Sequence, residues 1–170
     1  MKNADYYIEK LQLTSHVEGG AFRETYRSGM TLAQKHLSNN FKGDRNASTA
    51  IYFLLKYGQF SALHKIASDE LWHFYEGDSL HIYEITVDGT LIIHKLGRDL
   101  EKGETFQCIV QAGSWFGSRC EVAGGFSLVG CTVAPGFDFE DFLLADRVEL
   151  FTLFPQYKKL VHELTYDKPH

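Results

Sequence analysis

Apolar and polar residues alternate through most of the stretch from residue 48 to residue 133. A period of two marks strands with one buried face. Runs at about 49–57, 60–66, 70–76, 79–87, 90–96, 106–111, 114–120 and 126–133 each read as a strand. Val87-Asp88-Gly89-Thr90 separates two of them and predicts a hairpin, with Asp-Gly supplying the positive φ angles of a type I′ turn. Short strands with regularly spaced turn residues predict an antiparallel barrel or sandwich. Ahead of this block, residues 21–27 (AFRETYR) alternate as a further strand. Asn3 or Asp5 can cap a short helix carrying Tyr7, Ile8 and Leu11 on one face. Residues 28–47 are polar, with a helical turn at 31–37, and such a long excursion suits a lid or a partner contact. Pro135-Gly136 ends the strand block. Phe139, Phe142, Leu143, Val148, Leu150, Phe151 and Leu153 then predict short helices on the outside of the barrel, interrupted by Pro155.

Composition changes this picture little. A chain of 170 residues is expected to form one domain, residues 1–170, with 44% hydrophobic and 23% charged residues. The net charge of −5, with no cluster of Lys and Arg, argues against a nucleic-acid partner. No apolar run reaches membrane-spanning length and no basic, then apolar, leader opens the chain, so no membrane partner is expected. Cys108, Cys120 and Cys131 are odd in number and lack metal-ligand spacing. They read as small buried hydrophobes in a reducing, cytoplasmic setting.

The chemistry concentrates around His64. Gly58, His64, Ile66, Glu70 and Gly77 follow the spacing G-x5-H-x-H-x3-E-x6-G with Ile66 in place of the second histidine. Gln111-Ala112-Gly113-Ser114-Trp115-Phe116 matches a second pattern, P-x-G-x2-H, with Gln111 for proline and Phe116 for histidine. These resemble the two motifs of the cupins. Four further stretches carry a resemblance to the uncharacterised cupin-5 family: His16-Val17-Glu18-Gly19-Gly20 running into residues 22–28, residues 48–55, Ser68-Asp69-Glu70-Leu71-Trp72-His73-Phe74-Tyr75, and residues 133–142. The resemblance implies an RmlC-like jelly-roll barrel, an all-β double-stranded β-helix with short flanking helices. It also implies a homodimer with an open pocket and no settled reaction. Residues 21–47 are expected to cover a strand edge across a two-fold axis.

A standard cupin metal centre takes three imidazoles and one carboxylate. Ile66 and Phe116 remove two of the four, so no cofactor is expected. Should a divalent metal be held, its ligands would be His64, Glu70 and His73, although an odd separation on a regular strand turns His73 away from Glu70. Without metal, a His–Glu pair suits general acid–base chemistry. The expected function is therefore binding of a small polar molecule, with His64 and Glu70 catalysing a sugar-type epimerisation or isomerisation. The alternatives are a binding module without turnover and a metal-dependent oxygenase or isomerase. Glu70 is expected to raise the pKa of His64 by direct contact.

Arg23, His73 and Trp115 are the expected substrate-binding residues. Arg23 and Arg27 share one strand face with Thr25, so a pocket lined by one of them could hold an anionic group such as a phosphate or carboxylate. Trp115 is expected to join His64 and Glu70 in one pocket, with the 58–77 and 105–120 hairpins on facing sheets. Glu18 reads as an ion-pair partner and His16 as a residue that merely follows the helix. His81 and His94 are expected to face solvent, Trp72 and Phe74 to lie in the core, and Asp138, Glu140 and Asp141 to sit at a helix start. His170 reads as a frayed end.

Overall fold

The computed structural model describes residues 2–167, so His170 lies outside the described residues. Asn3 accepts a hydrogen bond from the Tyr6 N–H and starts helix α1 (Ala4–Leu11). Thirteen strands follow among the described residues: β1 (Thr14–Ser15), β2 (Ala21–Arg27), β3 (Thr31–Leu32), β4 (Arg45–Asn46), β5 (Thr49–Lys56), β6 (Phe60–Lys65), β7 (Asp69–Gly77), β8 (Leu80–Ile85), β9 (Leu91–Leu96), β10 (Gln107–Val110), β11 (Trp115–Cys120), β12 (Phe126–Ala134) and β13 (Leu143–Leu144). Helices α2 (Arg147–Leu153) and α3 (Lys158–Glu163) complete the chain, separated by a 3-10 turn at Pro155–Tyr157.

The long strands pair antiparallel in two sheets, ordered β1-β2-β5-β12-β7-β10 and β13-β6-β11-β8-β9. Alternate residues of both sheets meet between them. Phe53, Leu55, Trp72, Val110, Val129 and Val133 from the first face Leu80, Ile82, Leu96 and Phe116 from the second. This is the jelly-roll arrangement of two packed sheets. The outer face of the second sheet carries a separate core, where Leu63, Ile85 and Trp115 pack on Leu150 of α2, Val161 of α3 and Leu164 just beyond α3. Helix α1 covers the outside of the first sheet near Leu54 and Leu128.

Several local expectations are corrected. The segments 58–77 and 105–120 are not hairpins within one sheet. β6 pairs with β11, while β7 pairs with β10 and β12, so each segment crosses from one sheet to the other. That crossing places His64 and Glu70 on opposite sheets. The 86–90 turn does join β8 to β9, but of its residues only Gly89 has positive φ, at 84°. It is therefore a three-residue loop with a left-handed glycine rather than a type I′ turn. Asp88 completes it by accepting from the Thr86 hydroxyl and the Thr90 N–H.

The excursion at 28–47 holds the small β3–β4 pair and a single 3-10 turn at Gln34–His36. Strand β2 pairs with β5 of its own chain, so the edge it covers is an intramolecular one. Phe139 belongs to a 3-10 turn, Phe139–Asp141, and not to an outer helix. Asp138 caps that turn by accepting from the Glu140 N–H at 2.9 Å. Asp141 instead pairs with the buried guanidinium of Arg45, Nε to Oδ2 at 2.6 Å, fastening the turn to the 28–47 excursion.

Candidate functional site

A cavity of about 250 Å3 opens at one end of the space between the sheets. His64 enters from β6 and Glu70 from β7, and both side chains are buried. Glu18 enters from the turn between β1 and β2. That turn holds its shape through Gly19 at φ 110° and Gly20 at φ 73°, a region that favours glycine. A Cβ at Gly19 would also be driven into the Phe60 carbonyl. The Ala62 N–H donates to the Glu18 carbonyl at 2.7 Å, fixing the turn against β6.

The proton positions follow from the partners. His64 Nδ1 lies 2.7 Å from the Ala62 carbonyl, which can only accept, so Nδ1 carries a hydrogen. In the neutral ring Nε2 is then a bare acceptor, and it faces Glu18 Oε2 at 3.1 Å. Two acceptors cannot hold that contact alone. Glu18 and His64 therefore share one proton, as carboxylic acid with imidazole or as carboxylate with imidazolium. Phe116 and Phe142 flank the His64 ring, with centroids 4.1 and 5.2 Å away. Such apolar burial disfavours charge and lowers the His64 pKa to about 4. Burial likewise raises Glu18, against the pull of His16.

Glu70 does not pair with His64. Among the described residues no ion pair joins them, and the expected rise in the histidine's pKa is replaced by a fall. Burial first, and the neighbouring Glu18 second, push Glu70 up to about 8, so it carries a proton at neutral pH. The Cys131 thiol bonds to Glu70, and burial and that carboxyl hold the thiol well above its ordinary range. It is no thiolate nucleophile.

Three further expected site residues lie elsewhere. Register slips between Glu24 and Tyr26, where Thr25 forms a bulge against β5. The bulge breaks the alternation: Phe22, Glu24 and Arg27 line the cavity, whereas Arg23 reaches Gln12 at 3.3 Å outside it. His73 stands on the outer face of its sheet, bonded to Thr132 and Gln107, because no bulge separates it from Glu70. Trp115 points under α2 and α3, and its neighbour Phe116 takes the inward position.

Sequence reasoning missed His16, which lines the cavity and stacks on Phe139 with centroids 6.3 Å apart. Its Nδ1 accepts from the Glu18 N–H at 3.3 Å, and burial lowers its pKa. Cys131 and Phe139 were missed as lining residues as well. The signal available for Glu18 and His16 was the doubled glycine directly after them. His94 is half-buried rather than solvent-facing, with Nε2 2.7 Å from Glu84 Oε2.

The cupin motif implies a metal, and the donor set tests it. Ile66 and Phe116 put hydrocarbon at two of the four ligand positions, and both are buried in the core. His73 is on the wrong face to replace them. Among the described residues no group of three or more His, Cys, Asp or Glu is arranged to hold a metal ion. The residues present do not fit a three-imidazole, one-carboxylate centre. Among these residues, too, no helix is long and apolar enough to cross a membrane.

Known proteins agree with this frame. An uncharacterised protein of Saccharomyces cerevisiae is 35% identical over 147 residues, covering 79% of this chain and 71% of its own. A crystal structure of a Shewanella oneidensis protein is 42% identical with TM-score 0.89, covering 99% of this chain and all of that one. A hypothetical protein from Leishmania major is 32% identical with TM-score 0.89, over 98% of this chain and 100% of its own. At 11% identity and TM-score 0.56, a cupin 2 domain-containing protein of Halorhodospira halophila shares the fold over 91% of this chain and 88% of its own. Residues 5–145 match the family described as cupin superfamily (DUF985), and with the motif spacing, the two sheets and the inward His64 and Glu70 the chain belongs to that cupin-5 family.

Proposed function

We propose that this cupin is a metal-independent acid–base catalyst that isomerises or epimerises a small polar molecule in the cavity. The observation that carries the reading is the 3.1 Å contact between His64 Nε2 and Glu18, which needs a proton between two acceptors, in one cavity with Glu70, which burial keeps protonated. A base and an acid with separated affinities are what proton transfer next to a carbonyl needs. The substrate's C–H proton passes to the Glu18–His64 pair while Glu70 gives its proton to the carbonyl oxygen, leaving an enol. Return of a proton to the opposite face of the same carbon, with the enol O–H proton going back to Glu70, completes an epimerisation. In an isomerisation the proton goes instead to the former carbonyl carbon while the neighbouring hydroxyl gives its proton to Glu70. Glu18 thus replaces Glu70 as the partner of His64.

The test is incubation in D2O with small aldoses, ketoses and hydroxy ketones, followed by NMR. Deuterium enters next to the carbonyl with the wild type and at least about tenfold more slowly with Glu70→Gln or His64→Ala. No incorporation from any of them, with the ligand nonetheless bound, selects the second reading. That reading is a binding module, and it is favoured by the engagement of both His64 ring nitrogens.

We also propose a cytoplasmic homodimer. The three cysteines are free, as in a reducing compartment, and β10 ends one sheet while β9 ends the other, its outer side covered within the chain by a bridge from Leu96 to Thr105. Sedimentation of a monomer at micromolar concentration overturns the dimer.

A further inference from the structure

We infer that the cavity selects an uncharged carbonyl compound of about eight non-hydrogen atoms with an apolar ring face, and rejects carboxylates and phosphates. The carbonyl rests on the acid–base reading above; the size, the ring and the lack of charge rest on the walls.

The size follows from volume. A cavity of about 250 Å3 holds the equivalent of roughly eight waters at about 30 Å3 each. The ring face follows from the side chains between floor and mouth. Phe22, Ile51, Val133 and Phe137 are hydrocarbon, and the His16–Phe139 stack presents a further flat surface at the rim. A small acyclic polyol would leave these walls uncovered.

The absence of charge follows from what surrounds the space. Among the described residues, Arg27 is the lone Lys or Arg on the cavity wall. Its Nε and Nη2 are bound by both oxygens of Glu24, at 2.9 and 2.8 Å. Its Nη1 donates to Asn46 Oδ1 at 2.9 Å and to the Phe137 carbonyl at 3.2 Å. An entering anion would have to displace Glu24, then meet Glu18 and Glu70 with no cation to offset them. Burying an unpaired charge in that way is costly. A carbonyl oxygen, by contrast, needs a donor, and the O–H of Glu70 supplies one. A cation gains little either, because the carboxylates on the wall already have partners: Glu24 holds Arg27 with both oxygens, Asp138 Oδ1 accepts the Glu140 N–H at 2.9 Å, and Glu18 faces His64 at 3.1 Å.

The experiment uses one ring with three head groups on the wild-type protein at pH 7: cyclohexanone, cyclohexylammonium and cyclohexanecarboxylate. Binding is read by NMR from the methyl shifts of Ile51 and Val133. Cyclohexanone is expected to bind with a dissociation constant on the order of 1 mM, as suits so small a ligand. The carboxylate and the ammonium are expected to bind at least about tenfold more weakly. Either charged analogue binding as tightly as the ketone overturns the inference. So do shifts confined to the separate cleft beside Arg98 and Lys102, or no ketone binding at roughly tenfold that concentration. The same samples in D2O report α-proton exchange independently. A ketone that binds in the cavity without accelerated exchange upholds the ligand class and removes the catalytic reading.

Discussion

Two buried carboxylate–histidine pairs lie on the inward side of the same sheet region, and their surroundings differ. Glu84 is 1% exposed, and each of its oxygens has a partner: Oε2 faces His94 Nε2 at 2.7 Å and Oε1 accepts the Gln111 N–H at 3.0 Å. Neither residue lines the 250 Å3 cavity. Glu18 and His64 face that cavity, with Glu70 beside them lacking any cationic partner. Pairing and a backbone donor make the first cluster a structural tie, holding the 111–114 turn to β8. Burial without a compensating cation makes the second a reservoir of displaced protons. The same residue types thus serve opposite ends, and the difference lies in whether every lone pair is taken.

The largest expected break in this contrast comes from Glu84→Ala. Removing it leaves a buried N–H and a half-buried imidazole without an acceptor, at a cost of about 3 kcal/mol in chemical denaturation. Glu84→Gln keeps an acceptor for Gln111 and should cost under about 1 kcal/mol. Equal losses in the two variants would mean that volume, not hydrogen bonding, holds this site.

Glu70 behaves in the opposite sense. Its folded pKa, about 8, is above its ordinary value, so the folded state keeps a proton that the unfolded chain releases. Stability from this group is complete at low pH and is lost as pH rises toward 8. The lowered histidines act the other way below pH 6.5, which leaves the interval from about 6.5 to 8 to the raised carboxyls, Glu70 and, in the same direction, Glu18. The wild type should lose about 2 kcal/mol across it, and Glu70→Gln should flatten that slope. An equally steep decline in the variant would show that Glu70 is ionised in the fold.

At the rim, Phe139 is 56% exposed and carries little of the core. Phe139→Ala should change stability by under about 0.5 kcal/mol while weakening cyclohexanone binding several-fold. Unaltered binding would remove the rim from the ligand site. The smallest effect is expected from chelation. With Ile66 and Phe116 at two ligand positions, EDTA treatment followed by dialysis should shift Tm by less than about 1 °C, and elemental analysis should find under about one tenth of an equivalent of iron, manganese, nickel or zinc. Stoichiometric metal, lost in His64→Ala, would overturn the reading of the site.

Much of the fold was legible because strand periodicity is local. The run 49–57 became Thr49–Lys56 and 126–133 became Phe126–Ala134, differences of one residue at their ends. The inward direction of His64 and Ile66 followed from the same alternation. The site was less legible. Arg23 and Trp115 were placed by motif position and face arithmetic, and both failed for identifiable reasons. Arg23 stands between the inward Phe22 and Glu24 and so faces outward, the bulge at Thr25 turning Arg27 inward instead, and Phe116, not Trp115, held the inward phase of β11. His73 shows the arithmetic succeeding where the motif analogy did not: three residues from Glu70 on an unbroken strand, it points outward.

By itself the sequence determined the strands, the inward faces and the family, because each is written in residue spacing within one element or one motif. Tertiary structure decided which carboxylate reaches His64. Glu18 lies far from it along the chain, in a turn whose course depends on Gly19, Gly20 and the Ala62 N–H of a strand in the other sheet. Glu70, close in sequence, was carried to the opposite sheet by the crossing between β6 and β7. Spacing along a chain sets direction from a strand. Distance across a cavity is set by how the sheets pack, and no local pattern encodes it.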